Sequence, residues 1–441
     1  MTSKNHFDGE NYQQSFRTLN NSLPGADIDW LSNLRCKSIE RFSQVGIPGP
    51  KVEEWKYTNL AALNNKTFAL NTSIERDVVQ IESAYQKAIF KDNKGSKVVF
   101  VNGVFCKERT DIKIQHGVTL KSFIDFVTSE PVKAKALFDG QRNDNSLNDL
   151  NLAFMTDGFL LHVDKDVKLA EPIEIIHIST GEAVDKALIS RNFIHIEQSS
   201  SVKVIESFWG EDATSSWGQY ITNVMIDKKA DLEIYQFQNE GNEAIHMAET
   251  LVDLDEKANF THYSLNIGGK QSRTEIKPTL KGANANVNLR GAFLGRSGNS
   301  HDVFTHMKHM VAECDSDQVY RGVLDNGGKS AFQGKVYVAK DAQLTNANQS
   351  NKNLLLDRSA EANSKPELLI YADDVKCAHG ATVGELDQEA MFYLNSRGLD
   401  HVSAKALLVE AFVAEVFEEI NVPGVQEKYL ELARNWLETG Q

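Results

Sequence analysis

The chain has 441 residues, 41% of them apolar and 24% charged, with a formal charge of −14 from 61 acidic and 47 basic side chains. That balance argues against nucleic acid or an anionic membrane as the main partner. No apolar run approaches the roughly 20 residues of a transmembrane helix, and the length exceeds an ordinary single domain unless the architecture grows by repetition.

The opening stretch, MTSKNHFDGENYQQSF, has neither the apolar core of a secretion signal nor the arginine-rich, acid-poor character of a transit peptide. Cys36, Cys106, Cys314 and Cys377 are widely scattered and form no C-x-x-C pair. Such a set reads as reduced thiols, and a cytoplasmic protein is expected.

The first ~95 residues read mainly as helix and linker. Ile28 to Gln44 carries Leu31, Leu34, Ile39 and Phe42, with Val45 beyond, close to helical spacing, and Gly46-Ile47-Pro48-Gly49-Pro50 breaks it. Lys97–Val101 followed by Asn102-Gly103 is a strand ending in a turn. A helical or mixed pattern runs from Gly117 to about Leu152.

From Phe159 the texture becomes β-rich, in short runs at 159–163, 173–178, 192–197, 201–207, 220–226, 231–237, 249–254 and 259–265. A faint repeat passes through them: a small residue, then polar/apolar alternation, beginning at Ser200, Ala230, Ala258 and Ala285, and more loosely at Ala342. A period of this size marks a solenoid or a propeller. Two-residue hairpin turns are scarce, since only Asn326-Gly327 falls inside the repeats, which favours a parallel β-helix over antiparallel hairpins. The asparagines of 346–353 suit left-handed corners or side-chain ladders.

Near the C-terminus, Ala404, Leu407, Leu408, Ala411, Phe412, Val416 and Ile420 make an apolar stripe on a helix, ended by Asn421-Val422-Pro423-Gly424 and followed by a short helix over 425–438. Intramolecular core and a docked partner compete as its explanation. The expected fold is mainly β: a parallel β-helix core over 151–385, between a helical or mixed N-terminal domain (1–150) and a C-terminal helical domain (386–441).

Chemistry-bearing motifs are few. Gly322 to Ser330 resembles a phosphate-binding loop, but its lysine falls one residue late and a strand follows, so the chain is not itself an ATPase. His301, His306, His309 and Cys314 are dense, yet strand residues three apart point to opposite faces, and scattered structural histidines are expected. No G-x-S-x-G or H-E-x-x-H is present, and no carboxylate pair stands out by spacing. In Asp373-Asp374-Val375-Lys376-Cys377-Ala378-His379-Gly380-Ala381-Thr382, a thiol and an imidazole two residues apart on a strand share one face and suit soft-metal or sulfur chemistry. Two ligands are too few for a complete zinc or cluster site.

Several segments together resemble the SufB/SufD family of iron–sulfur cluster assembly scaffolds. They are Pro48 to Thr58 with Glu54-Trp55-Lys56-Tyr57-Thr58, Leu354-Leu355-Leu356, Lys365-Pro366-Glu367-Leu368, Tyr371 to Gly384, and Phe392 to Leu399. The resemblance covers most of the chain, is most specific over 354–399, and leans to the SufD branch because a cysteine-rich N-terminal motif is absent. It implies a right-handed parallel β-helix and a non-catalytic scaffold subunit. It further implies pairing with a SufB-like paralogue through the β-helices and a SufC ATPase docked on the C-terminal helices. Cys377 and His379 match the family's motif, with Ala378 where serine is common. By resemblance they are candidate iron- and sulfur-handling residues at the SufB interface, His379 as the metal ligand, for a nascent iron–sulfur cluster shared with SufB. The alternatives are a β-helix polysaccharide-active enzyme and a homodimeric interaction module.

Overall fold

The computed structural model describes residues 6–7, 12–66, 68–72, 78–141, 143–211 and 214–438, so most of the opening MTSKNHFDGEN stretch lies outside the described residues. Two long sheets of eleven and ten strands face each other across one core. The first sheet stacks Lys186–Ile196, Trp217–Ile226, Ile245–Leu254, Gln271–Leu280, Ser300–His309, Lys329–Val338 and Glu361–Ile370, all parallel. The second stacks Ile173–Ser179, Ser201–Gly210, Asp231–Asn239, Asn259–Asn266, Asn286–Gly295, Asp315–Leu324, Asn346–Leu355 and Lys376–Gly384, also parallel. The chain alternates between the sheets at each strand, which is the expected parallel β-solenoid.

The repeat has a physical cause at its corners. Ser201, Asp231, Asn259, Asn286, Asp315, Asn346 and Lys376 stand in register, at steps of 30, 28, 27, 29, 31 and 30 residues. Just before six of these strands sits a fully buried small residue: Ser200, Ala230, Ala258, Ala285, Cys314 and Thr345. Thr345, not Ala342, is therefore the repeat position in that coil, because the preceding loop is longer. Cys314 is the step missing between 285 and 342.

One residue earlier, Ser199, Lys229, Lys257, Asn284, Glu313 and Leu344 all have left-handed backbone, with φ between 56° and 61°. Five of these six donate their N–H to a carbonyl of the next coil, as in Lys229 to Glu256 and Glu313 to Gln343, both at 2.9 Å. This inter-coil bond sustains a conformation that L-residues ordinarily avoid. The asparagines of 346–353 are not corner residues. They lie within the Asn346–Leu355 strand, with Asn351 and Asn353 pointing into the core, and only Asn284 among the six corners is asparagine.

Helices clothe both outer faces. Tyr12–Leu19, Asp29–Val45, Phe123–Ser129, Pro131–Gly140 and Ser146–Phe154 pack on the first sheet around Phe193, Trp217 and Met247. Asp29–Val45 follows the predicted helix, with Leu31, Ile39 and Phe42 buried and Val45 exposed, and it stops at Gly46, φ 74°. Lys97–Val101 joins the second sheet beside Ile173–Ser179, so the N-terminal region supplies part of the solenoid wall.

On the second sheet, His401–Ala414 and Val425–Glu438 pack against Tyr235, Tyr263, Leu265 and Leu294. The helix ends at Ala414, earlier than predicted, and its buried line is Ala404, Val409 and Val413, while Leu407 and Ala411 face outward. Val416 and Ile420 are buried from the turns beyond it. The packing face is thus turned from the predicted stripe within the helix, and the turns after Ala414 bring the chain back to the core.

Candidate functional site

Cys377 and His379 lie on Lys376–Gly384, the last strand of the second sheet, opposite Ala347 and Gln349 of the preceding coil. Those two partners are buried and belong to inward-facing rows. One row runs Val202, Leu232, Phe260, Val287, Ser316, Ala347 and Cys377. The other runs Val204, Ile234, His262, Leu289, Gln318, Gln349 and His379. Every earlier member of both rows is buried.

The register thus puts the thiol and the imidazole on one face, as the spacing predicts. Cys377 is half-buried against the core cluster, and His379 is exposed. Among the described residues Lys376–Gly384 is paired on one edge only, and all of its nine residues but Cys377 are exposed, so the solenoid ends here unsealed. The adjacent Glu361–Ile370 is likewise half-open, and Leu369, Tyr371 and Val383 are exposed. A row of unpaired backbone donors and acceptors is a template for another strand.

Burial pushes the Cys377 thiol upward, against a hydrogen bond from the Ala347 backbone. It is therefore not a pre-activated nucleophile, and a thiophilic metal ion bound there would displace its proton to solvent. The core beneath grows polar toward this end. Gln318 accepts from Thr305 Oγ1 at 2.6 Å, Asn353 donates to Asn351 Oδ1 at 2.7 Å, and Ser364 donates to the same oxygen at 2.8 Å. Neither side-chain polar atom of buried Gln349 has a hydrogen-bond partner among the described residues. Uncompensated buried amides are costly, and the cost falls directly beneath His379.

The remaining motifs are structural. His301 and His309 are fully buried and meet Ser272 Oγ at 2.6 Å and Ser316 Oγ at 2.9 Å, whereas His306 faces outward. Cys314 occupies its corner, its Sγ 3.4 Å from Gly282 O. The segment over 322–330 is the end of one strand, a turn at Asn326-Gly327 and the start of the next strand, with no helix to receive phosphate.

The Pro48–Thr58 segment acts as a clamp on the first sheet. Trp55 is buried, and the Arg273 guanidinium lies 4.0 Å from its ring centroid. Arg273 donates to Thr58 Oγ1 at 2.7 Å and to Glu54 O at 2.9 Å, and Thr58 donates to Asp302 Oδ2 at 2.5 Å. Lys365 pairs with Glu53, tying the clamp to the terminal coils. Burial pushes Asp302 up to about 6, against Arg273 and Thr58. Spacing alone gave no sign of this role, because the partners lie more than 200 residues downstream.

Comparison with known proteins places these features. Residues 177–412 match the family model for the SUF system FeS cluster assembly SufBD core domain, and residues 8–175 match that for the SufBD protein N-terminal region. The chain is 27% identical to the iron–sulfur cluster assembly protein SufD of Escherichia coli, over 89% of this chain and 90% of that one. It is 25% identical to SufD of Bacillus subtilis, over 90% and 92%. A SufBD family iron–sulfur cluster assembly protein of Synechocystis is 25% identical over 92% and 90%. With both family models spanning the solenoid and its N-terminal helices, and SufD proteins similar along nearly the whole length, the chain belongs to the SufBD family of iron–sulfur cluster assembly proteins.

Proposed function

We propose that this chain is a non-catalytic, cytoplasmic scaffold subunit that pairs with a SufB-like paralogue through the open end of its solenoid. The cluster under assembly is shared across that pairing, with His379 as an iron ligand and Cys377 as a sulfur-handling thiol. The observation that carries this reading is the register: the two residues sit together on the one strand of the second sheet's C-terminal edge that has no further coil above it. Two ligands are insufficient alone, and a second chain docked on that edge supplies the remainder.

A SufC-type ATPase docks, on this reading, against the C-terminal helices. Its support is an exposed apolar surface on Gln388–Ser396 and His401–Ala414: Phe392 at 75% exposure, Tyr393 at 55%, Val402 at 48% and Leu407 at 47%. Such side chains on one pair of helices are what a partner covers.

The pairing is tested by light-scattering mass measurement of the chain co-expressed with its SufB-like paralogue, with and without Val383→Lys on the terminal strand. A 1:1 heterodimer that Val383→Lys dissociates is the expected result. A mass unchanged by the paralogue, or a homodimer that excludes it, overturns the proposal.

A further inference from the structure

At the opposite end of the solenoid, two histidines and three carboxylates gather on the outer wall of the first sheet. His162 lies on Phe159–Val163 and is in register with His195, their ring centroids 5.0 Å apart and nearly perpendicular. The corner residues that follow these strands are Asp164, Glu197 and Asp227. His162 Nε2 lies 3.1 Å from Glu197 Oε1 and 3.3 Å from Asp164 Oδ1, and one ligand atom from each of the three residues falls within 4.8 Å of the others. His195 Nε2 lies 3.2 Å from Asp227 Oδ2.

Three features separate this cluster from an ordinary surface ion pair. A single imidazole nitrogen carries at most one proton, so it cannot donate well to two carboxylates at once. Metal–ligand bonds of about 2.0–2.2 Å in tetrahedral geometry place ligand atoms roughly 3.3–3.5 Å apart, close to the two separations from His162 Nε2. Glu197 is also held in place, because its other oxygen accepts the Lys165 backbone N–H at 3.0 Å, the kind of outer contact that orients a metal ligand.

We propose that His162, Asp164 and Glu197 form a binding site for a first-row divalent cation of the zinc or ferrous class, with His195 and Asp227 beside it to complete the coordination. The imidazoles disfavour magnesium and calcium, which take oxygen ligands. His162 is 27% exposed, Asp164 59% and Glu197 35%, so an ion in solution can reach the site. The site cannot belong to the Cys377–His379 pair. Seven strand spacings of about 4.8 Å separate the first and last coils, on the order of 30 Å.

The test is equilibrium dialysis of the full chain against Zn2+, with Co2+ as a spectroscopic probe, for the wild type, His162→Gln, Glu197→Gln and His379→Ala. The wild type is expected to hold one ion that His379→Ala retains. His162→Gln and Glu197→Gln should each weaken it by about tenfold or more while circular dichroism stays unchanged. Asp164→Asn serves as a third variant should either of these misfold. No binding by the wild type, equal binding by the ligand variants, or loss only in His379→Ala overturns the proposal.

Discussion

At the scale of single residues, the decisive groups are those whose surroundings contradict their isolated chemistry. Arg273 is fully buried, yet it is neutralised by Glu275 at 2.7 Å and covered by Trp55. Against the pull of burial, Arg273 and Lys277 hold Glu275 below the usual carboxylate range. Removing one member of such a network leaves a buried charge poorly compensated. Trp55→Ala strips the apolar lid from Arg273, and the midpoint of urea unfolding should report a loss of about 3–5 kcal/mol. A loss below about 1 kcal/mol would mean that the clamp contributes little.

His379 and Cys377 were legible from the chain alone, because strand periodicity fixes their common face. His162, Asp164 and Glu197 were not, since a step of 33 residues between His162 and His195 is visible only through strand register. The clamp residues escaped for the same reason, and family resemblance pointed to Glu54–Thr58 without saying what they hold.

At the scale of elements, the corner governs the solenoid. The small buried residue was visible as a periodic pattern, whereas the left-handed residue before it was not. Serine, lysine, glutamate and leucine hold that position through the inter-coil hydrogen bond and not through side-chain preference, while Asn284 is of a type that tolerates it. The strands themselves interleave apolar and polar rows. His262 sits between Ile234 and Leu289 in the core, and neither of its ring nitrogens has a hydrogen-bond partner among the described residues.

Burial pushes His262, His301 and His309 down to about 4. The unfolded chain binds protons on these rings near pH 6.5, and the folded chain does so only near pH 4. Their contribution to stability is therefore complete above about pH 6.5 and is lost as pH falls toward about 4. Asp157 and Asp302, pushed up to about 6 by burial, act in the opposite sense between their unfolded value and pH 6. Comparing His262→Leu with the wild type isolates one histidine from this mixture. The stability difference in favour of the variant should widen by about 1.4 kcal/mol per pH unit below pH 6.5. A difference that stays constant from pH 7.5 to pH 5 would show that His262 is not buried as a neutral ring.

At the scale of the whole molecule, the solenoid is sealed along its flanks and open at its C-terminal end. Most N-terminal helices cover the first sheet, while Val78–Ala88 and the C-terminal helices cover the second, the latter pinned by Arg321 to Glu415 at 2.7 Å and 3.1 Å. The predicted three-part layout is less separable than its boundaries imply, since Lys97–Val101 builds the wall and the last helices share a core with it. Among the described residues the terminal coil carrying Cys377 and His379 is uncovered, as is the apolar outer face of the C-terminal helices.

Iron and sulfide content after anaerobic reconstitution of the complex with the SufB-like and SufC-like partners, compared between wild type and His379→Ala, tests whether this open coil contributes half of a cluster site. Both are expected to fall together in the variant, by about tenfold, with the visible absorption of the cluster lost and the complex intact. Unchanged iron, sulfide and spectrum would contradict it.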